Sequence, residues 1–110
     1  MTVTLNRKIL KSFEVDVPAG TNEVGDSIQA SQIASIEYNI CIEGGSKRKT
    51  IKMSVIKEAG GGFNHNVSSV LGSVMEVVPN FSLYGSEGRL TLVNSETFPV
   101  VVKISRMLIS

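Results

Sequence analysis

The sequence predicts an all-β protein: one antiparallel β-sandwich, jelly-roll-like, of about eight strands. Apolar and polar residues alternate with a period of two along most of the chain, and no long stripe of period 3.6 indicates a helix. Turns rich in glycine, asparagine or serine, such as EAGGG, GSEG and NSETFP, separate the alternating segments. A turn every 8–12 residues or so is typical of sandwiches and barrels.

The strands follow one another as short alternating runs. SFEVDVP alternates Phe13, Val15 and Val17 with polar residues before the turn at Pro18. IEYNICIE (36–43) and TIKMSVIK (50–57) repeat this pattern, whereas SIQASQIA (27–34) predicts a helical turn. Further strands are expected near 63–70, 74–84, 88–94 and 98–108. The predicted core comprises Phe13, Val15, Ile36, Tyr38, Ile40, Ile51, Met53, Phe81, Leu83, Leu90, Leu92, Val100, Val102 and Ile104.

The two glycines after Glu43 predict a hairpin register. A two-residue turn at 44–45 places Ile36 opposite Met53, so that the apolar faces of both strands coincide. In the same register Ile40 and Ile42 face lysines, so the tip of this hairpin is expected to project beyond the core. On the other face, Glu37 is expected opposite Lys52.

A second hairpin is predicted in FSLYGSEGRLTL. A four-residue loop at 85–88 places Leu83 opposite Leu90 and Phe81 opposite Leu92. Two hairpins with coinciding apolar faces indicate an antiparallel arrangement.

The length and composition of the chain restrict the class of protein to which it can belong. The 110 residues correspond to a single domain, 1–110, and the net charge of +1 provides no overall field for nucleic acid or anionic membrane. One cysteine excludes an internal disulfide, which fits assembly in a reducing compartment. No apolar run has the length of a membrane span or a signal peptide, so we expect synthesis in the cytoplasm.

The stretch EGGSKRKT, residues 43–50, has the composition of a phosphate-binding loop. A P-loop requires G-x-x-x-x-G-K-[ST] before a helix, and here the glycine spacing differs and a strand follows. Residues 46–57 nevertheless carry five cations and no acid. Such a strip could contact phosphates, but no aromatic residues interleave with it for base stacking. Solvation of a hairpin tip is the favoured interpretation, and nucleic-acid binding remains an alternative.

The sequence contains little material for catalysis or metal binding. His65 is the single histidine, and a nucleophilic pair with Cys41 would require the two side chains to lie close together. Carboxylates occur at 14, 16, 23 and 26, but without the spacing of a calcium loop. We therefore predict a protein that is not an enzyme, with no catalytic, cofactor-binding or metal-binding residue.

The order of features from residue 20 onward resembles a small β-sandwich domain of structural proteins in tailed-bacteriophage virions. An Asp-Ser step at Asp26 and Ser27 precedes a strand that contains Ala34 and Tyr38, and a second apolar strand runs from 51 to 56. The end of the chain has the matching sequence: Gly88, Leu90 and Leu92, a polar turn, and a Val/Ile strand ending in Arg-x-Leu-Ile at 106–109.

This resemblance implies a building block of the tail, baseplate, fibre or neck, or a capsid decoration protein. Its partners would be other virion structural proteins and copies of itself, and its location the virion. We expect contact through the segment 1–11, where apolar and polar residues alternate before a basic run, and through the basic hairpin tip. The candidate partner-binding residues are Thr2, Val3, Leu5, Arg7, Lys8, Lys47, Arg48 and Lys49. The alternative functions are a carbohydrate- or receptor-binding sandwich module and a nucleic-acid-binding domain that uses the basic hairpin.

Overall fold

The computed structural model describes residues 8–109, which form eight strands and one short 3-10 helix. No helix in this range is long and apolar enough to cross a membrane. The elements are β1 (Lys8–Val17), β2 (Asn22–Gln29), the 3-10 helix (Ala30–Gln32), β3 (Ser35–Gly44), β4 (Lys47–Lys57), β5 (Phe63–Gly72), β6 (Val77–Tyr84), β7 (Glu87–Asn94) and β8 (Val100–Ile109).

Two antiparallel sheets face each other, which confirms the predicted β-sandwich. The larger sheet has the strand order β1-β8-β3-β4-β5 and the smaller sheet has the order β2-β7-β6. The first strand pairs with the last and the second with the second-last, so the chain rolls up from both ends as in a jelly roll. Strands β3 and β4, β4 and β5, and β6 and β7 are joined as hairpins.

The core lies between the sheets and contains most of the predicted residues. Eleven of the fourteen are buried, and Phe13 and Val15 pack against the core from β1 while remaining partly exposed. Leu83 was predicted wrongly, since 46% of it is exposed near the end of β6. The core also includes residues that the prediction left out: Val17, Ile28, Ile33, Ile42, Val55, Met75, Val77 and Leu108.

Strand β2 is the element that the sequence did not predict. Its register with β7 shifts between Val24 and Asp26, so apolar and polar residues do not alternate along it. Gly25 occupies a buried position where a side chain would meet Leu92 and Ile104. A short helical turn does occur nearby, at Ala30–Gln32, as the sequence suggested.

The first hairpin turns one residue later than predicted. The turn residues are Gly45 and Ser46, with φ of 55° and 63°, and Gly44 pairs with Lys47. Two positive φ values are typical of a type I′ turn. Gly44 lies in the strand, at a point where the chain leaves no room for a side chain: a Cβ there would lie 2.5 Å from the carbonyl oxygen of Pro99.

This shift moves each cross-strand pair by two residues, which preserves the faces but changes the partners. Ile36 lies opposite Val55, and Ile40 opposite Ile51. Glu37 lies opposite Ser54 and not Lys52, and its Oε2 accepts a hydrogen bond from the Ser54 hydroxyl at 2.7 Å.

The inner face of the first hairpin is buried as far as Ile42, contrary to the prediction, and the tip residues 45–48 are exposed. Ile40 and Ile42 are fully buried. The connection from β5 to β6 folds against the tip, where the Ser73 amide donates to the Arg48 carbonyl at 2.8 Å. The sequence of β3 and β4 alone does not predict this contact, because the residues of the β5–β6 connection lie more than twenty positions away.

The second hairpin has a shorter loop than predicted. Its loop has two residues, Gly85 and Ser86, and Gly85 has φ of 65°. A positive φ at the first loop residue alone is the pattern of a type II′ turn. Phe81 therefore lies opposite Leu90 and Leu83 opposite Gly88.

A buried asparagine links two backbone segments at one end of the sandwich by hydrogen bonds. Asn94 is 2% exposed, and its Nδ2 lies 3.2 Å from the Val17 carbonyl oxygen and 3.0 Å from that of Phe98. Its Oδ1 accepts the Glu96 amide at 2.9 Å. One side chain thus satisfies backbone groups of the β1–β2 turn and of the β7–β8 loop, which would otherwise be buried without partners.

Candidate functional site

The most polar part of the interior joins the two sheets. Asp26 on β2 faces Tyr38 and Arg106, which are cross-strand partners on β3 and β8. Arg106 Nη1 lies 2.6 Å from Asp26 Oδ1 and 2.5 Å from Oδ2, and the Tyr38 hydroxyl donates to Oδ2 at 2.8 Å. The Ser27 amide completes the set by donating to Oδ1 at 2.9 Å.

This cluster has a structural role, since its polar groups bind one another inside the sandwich. The side chains of Arg106 and Asp26 are only 9% and 8% exposed, so each charge depends on the other for compensation. The guanidinium also lies 5.8 Å from the centre of the Phe13 ring, at a cation–π distance. Burial, together with the charge of Asp26 and its hydrogen bond, raises the pKa of Tyr38 far above its usual value. The phenol therefore remains a neutral hydrogen-bond donor.

The cations of the basic tip interact with the protein itself. Lys49 Nζ donates to the carbonyl oxygens of Met75 and Val77 at 2.9 and 3.3 Å, and Lys47 Nζ donates to that of Val74 at 3.3 Å. Arg48 lies 3.2 Å from Glu43. These contacts account for the basic run without an external anion. Binding of a partner by Lys47, Arg48 and Lys49 stays a prediction.

The other predicted partner-binding residues lie at the N-terminal end. Thr2, Val3, Leu5 and Arg7 are outside the described residues, and Lys8 begins β1, where it pairs with Ile109 of β8. The part of the predicted docking segment from 8 to 11 is therefore a sandwich strand.

A shallow trough crosses the outer face of the larger sheet, with a volume of about 700 Å³. Two adjacent rows of outward-facing side chains line it, one from each of the five strands in both rows. The first row is Ser12, Ser105, Asn39, Lys52 and Ser69, and the second is Glu14, Lys103, Cys41, Thr50 and Leu71.

Exposed apolar side chains, here called the β5–β6 flank, are concentrated along one side of the sandwich. We define the flank by the exposed large apolar side chains of β5, β6 and their connection: Val67, Val70, Leu71, Val74, Val78, Leu83 and Tyr84. These side chains do not share one face: Leu71 lies on the outer face of the larger sheet, whereas Val67 and Val70 lie opposite buried residues of β4. β5 and β6 are the last strands of the two sheets on the same side of the sandwich, where Phe63 and Phe81 contact each other edge to face at 5.2 Å.

The candidate catalytic pair is not assembled. Cys41 lies opposite Thr50 on the outer face, whereas His65 lies opposite Val55, whose side chain is buried in the core. Directly opposite residues share a face, so the two side chains point to opposite sides of the sheet. The carboxylates are also dispersed, since Asp26 is paired with Arg106 inside the sandwich. Residues 8–109 contain no group of three or more His, Cys, Asp or Glu side chains suited to a metal ion.

Taken together, these features define a β-sandwich whose polar interior is structural and whose distinctive surfaces are a trough and an apolar flank. No protein-family model and no curated protein sequence matches the chain.

Among solved structures, the chain is similar in fold to part of the tailspike protein of Acinetobacter baumannii phage AM24. The TM-score is 0.60 at 11% identity, over 94% of this chain and 26% of that one. The tailspike protein of Acinetobacter phage vB_ApiP_P1 gives a TM-score of 0.48 at 11% identity, over 99% of this chain and 24% of that one. The chain thus spans about a quarter of the length of either tailspike.

Loss of the Asp26 carboxylate should destabilise the fold strongly. Asp26→Asn leaves the Arg106 charge buried beside a neutral amide, and we expect the free energy of unfolding to fall by about 3–5 kcal/mol in urea denaturation. Tyr38→Phe removes one hydrogen bond and should cost about 1 kcal/mol. The control Glu23→Gln, at an exposed position of the same strand, should stay within about 0.5 kcal/mol of wild type. An Asp26→Asn protein as stable as this control would contradict the assignment.

The raised pKa of Tyr38 predicts a loss of stability at alkaline pH. In the unfolded chain this phenol ionises near the ordinary tyrosine pKa of 10.0, whereas in the folded protein it stays protonated. Its contribution is therefore complete below pH 10 and declines above it, by at most about 1.4 kcal/mol per pH unit. Urea denaturation of wild type and Tyr38→Phe between pH 8 and 11 isolates this slope. Parallel curves for the two proteins would show that Tyr38 ionises equally in both states.

Proposed function

We propose that this chain is a non-enzymatic structural domain of a tailed-bacteriophage virion, located in the tail, which acts through protein–protein contacts. The observation that carries the proposal is the shared sandwich fold with part of the AM24 tailspike, over 94% of this chain. The dispersal of Cys41, His65 and the carboxylates supports a role without catalysis.

The buried cluster is formed by residues of the motifs that suggested a virion domain. Asp26, Tyr38 and Arg106 belong to the motifs on which the resemblance to virion sandwich domains rests, and they meet in one network between the sheets. In this chain, residues of those motifs therefore hold the two sheets together.

Immunogold electron microscopy tests the proposal. Antibodies raised against the purified domain should label the tails of intact particles of the phage that encodes it, and should not label an unrelated phage. Label on the capsid alone, or no label on particles that contain the protein by mass spectrometry, would contradict the tail location. Release of new reducing ends from host-surface polysaccharide by the purified domain would contradict the non-enzymatic role.

The trough supports a second candidate function, the binding of a surface glycan. Hydroxyl and amide side chains from four strands, together with Lys52 from β4, form a row across the sheet that could donate and accept hydrogen bonds with the hydroxyl groups of an extended oligosaccharide. If this function holds, Asn39→Ala should weaken binding to host polysaccharide by about tenfold in calorimetry, the effect of about 1.4 kcal/mol. Asn80→Ala, at an exposed position of the other sheet, is the matched control. No heat of binding by the wild type would remove this candidate.

A further inference from the structure

The side of the sandwich formed by β5 and β6 is depleted of charge to an unusual degree. From Ala59 to Ser86 the sequence contains a single acidic residue, Glu76, and no lysine or arginine. This segment holds both edge strands of that side. Charged residues are the most depleted type in the buried centre of protein interfaces, whereas solvated edges usually carry them.

The same segment exposes most of the apolar surface. Among residues 10–109, eleven large apolar side chains are exposed, and seven of them form the β5–β6 flank. Val74 is 89% exposed and Val70 53%. A concentration of exposed apolar side chains without interspersed charge is a mark of an interaction surface.

The four sheet edges differ in their protection against strand pairing. β1 carries Lys11, Glu14 and Asp16, and β6 carries Pro79, which has no backbone donor. β2 carries Glu23 and has an irregular register beside Val24. β5 has neither a charged residue nor a proline over its ten residues, although its own register shifts beside Ser68.

We infer that β5 pairs with β5 of a second copy of this chain, antiparallel about a two-fold axis, and joins the two larger sheets into one. In a two-fold interface the strand pairs with its own sequence, residue i opposite residue j and j opposite i, so any charge on the strand enters the interface twice. β5 is compatible with this arrangement because it carries no charge. Main-chain hydrogen bonds would supply affinity along the strand, and the flank would bury apolar area beside it.

Pairing of β5 with β1 of a neighbour is less favourable. It would place Lys11, Glu14 and Asp16 against a strand that offers no opposite charge. It would also leave an edge open at each end and produce filaments instead of a closed dimer. The two-fold pairing does not depend on the proposed function and holds wherever the protein acts.

Sedimentation equilibrium over a concentration series tests the pairing. The wild-type protein should reach twice the chain mass of 11.8 kDa and no higher mass. Val70→Lys brings a charge from each copy into an interface that otherwise contains none, and should raise the dimer dissociation constant by at least about tenfold. Leu10→Lys makes the same change at an exposed position of β1 and should leave the dissociation constant unchanged.

Each other result would overturn the inference. A monomer at every concentration up to the solubility limit would exclude self-association, and masses above the dimer that fall with Leu10→Lys would indicate pairing through β1. A dimer insensitive to Val70→Lys would place the contact elsewhere, provided that circular dichroism shows the variant to be folded. Amide hydrogen exchange gives a second reading: protection of residues 63–72 should rise with concentration, and protection confined to other strands would contradict the model.

Discussion

The contact between Asp26 and Arg106 is the constraint on which the sandwich depends. Apolar packing between two sheets has no direction, and by itself it tolerates sliding of one sheet over the other. A charge pair with a fixed geometry, to which Tyr38 and the Ser27 amide also bind, sets one alignment. Since both charges are buried, any other alignment would leave them without compensation. Burial of the pair thus gives specificity to a core made mainly of Val, Ile and Leu.

The sequence contains a local signal for most of the strands and for which face of each is buried. A shift of two residues in the register of a hairpin leaves each side chain on the same face of its strand. The interior faces of β3, β4 and β7 were therefore predicted correctly, although every cross-strand pair in the two hairpins was displaced. Gly44, which the prediction placed in the turn, is instead a strand residue where the Pro99 carbonyl approaches so closely that no side chain fits. Such an approach is encoded in the β7–β8 loop and cannot be inferred from the hairpin itself.

Strand β2 and the buried cluster are features that the sequence did not predict. The register shift beside Val24 removes the alternation that identifies a strand, and Asp26 and Arg106 are eighty positions apart in the chain. The resemblance to virion sandwich domains singled out both residues and Tyr38, but it could not state that they touch. In the basic tip, similarly, the identity of the cations was evident, whereas their acceptors are backbone carbonyls of residues 74–77, which carry no sequence signal.

The pairing of β1 with β8 has a consequence for the order in which the domain is made. β1 has no sheet partner other than β8, and the charge of Asp26 meets its counterion only when Arg106 of the same last strand arrives. During synthesis the hairpins β3–β4 and β6–β7 can form as soon as they leave the ribosome, but the closed sandwich must wait for the final strand. Until then β1 has no strand to pair with, and the larger sheet is limited to β3, β4 and β5. Addition of β8 is therefore the step that commits the chain to its fold, and variants of β8 should affect the yield of folded protein more than comparable changes in β5.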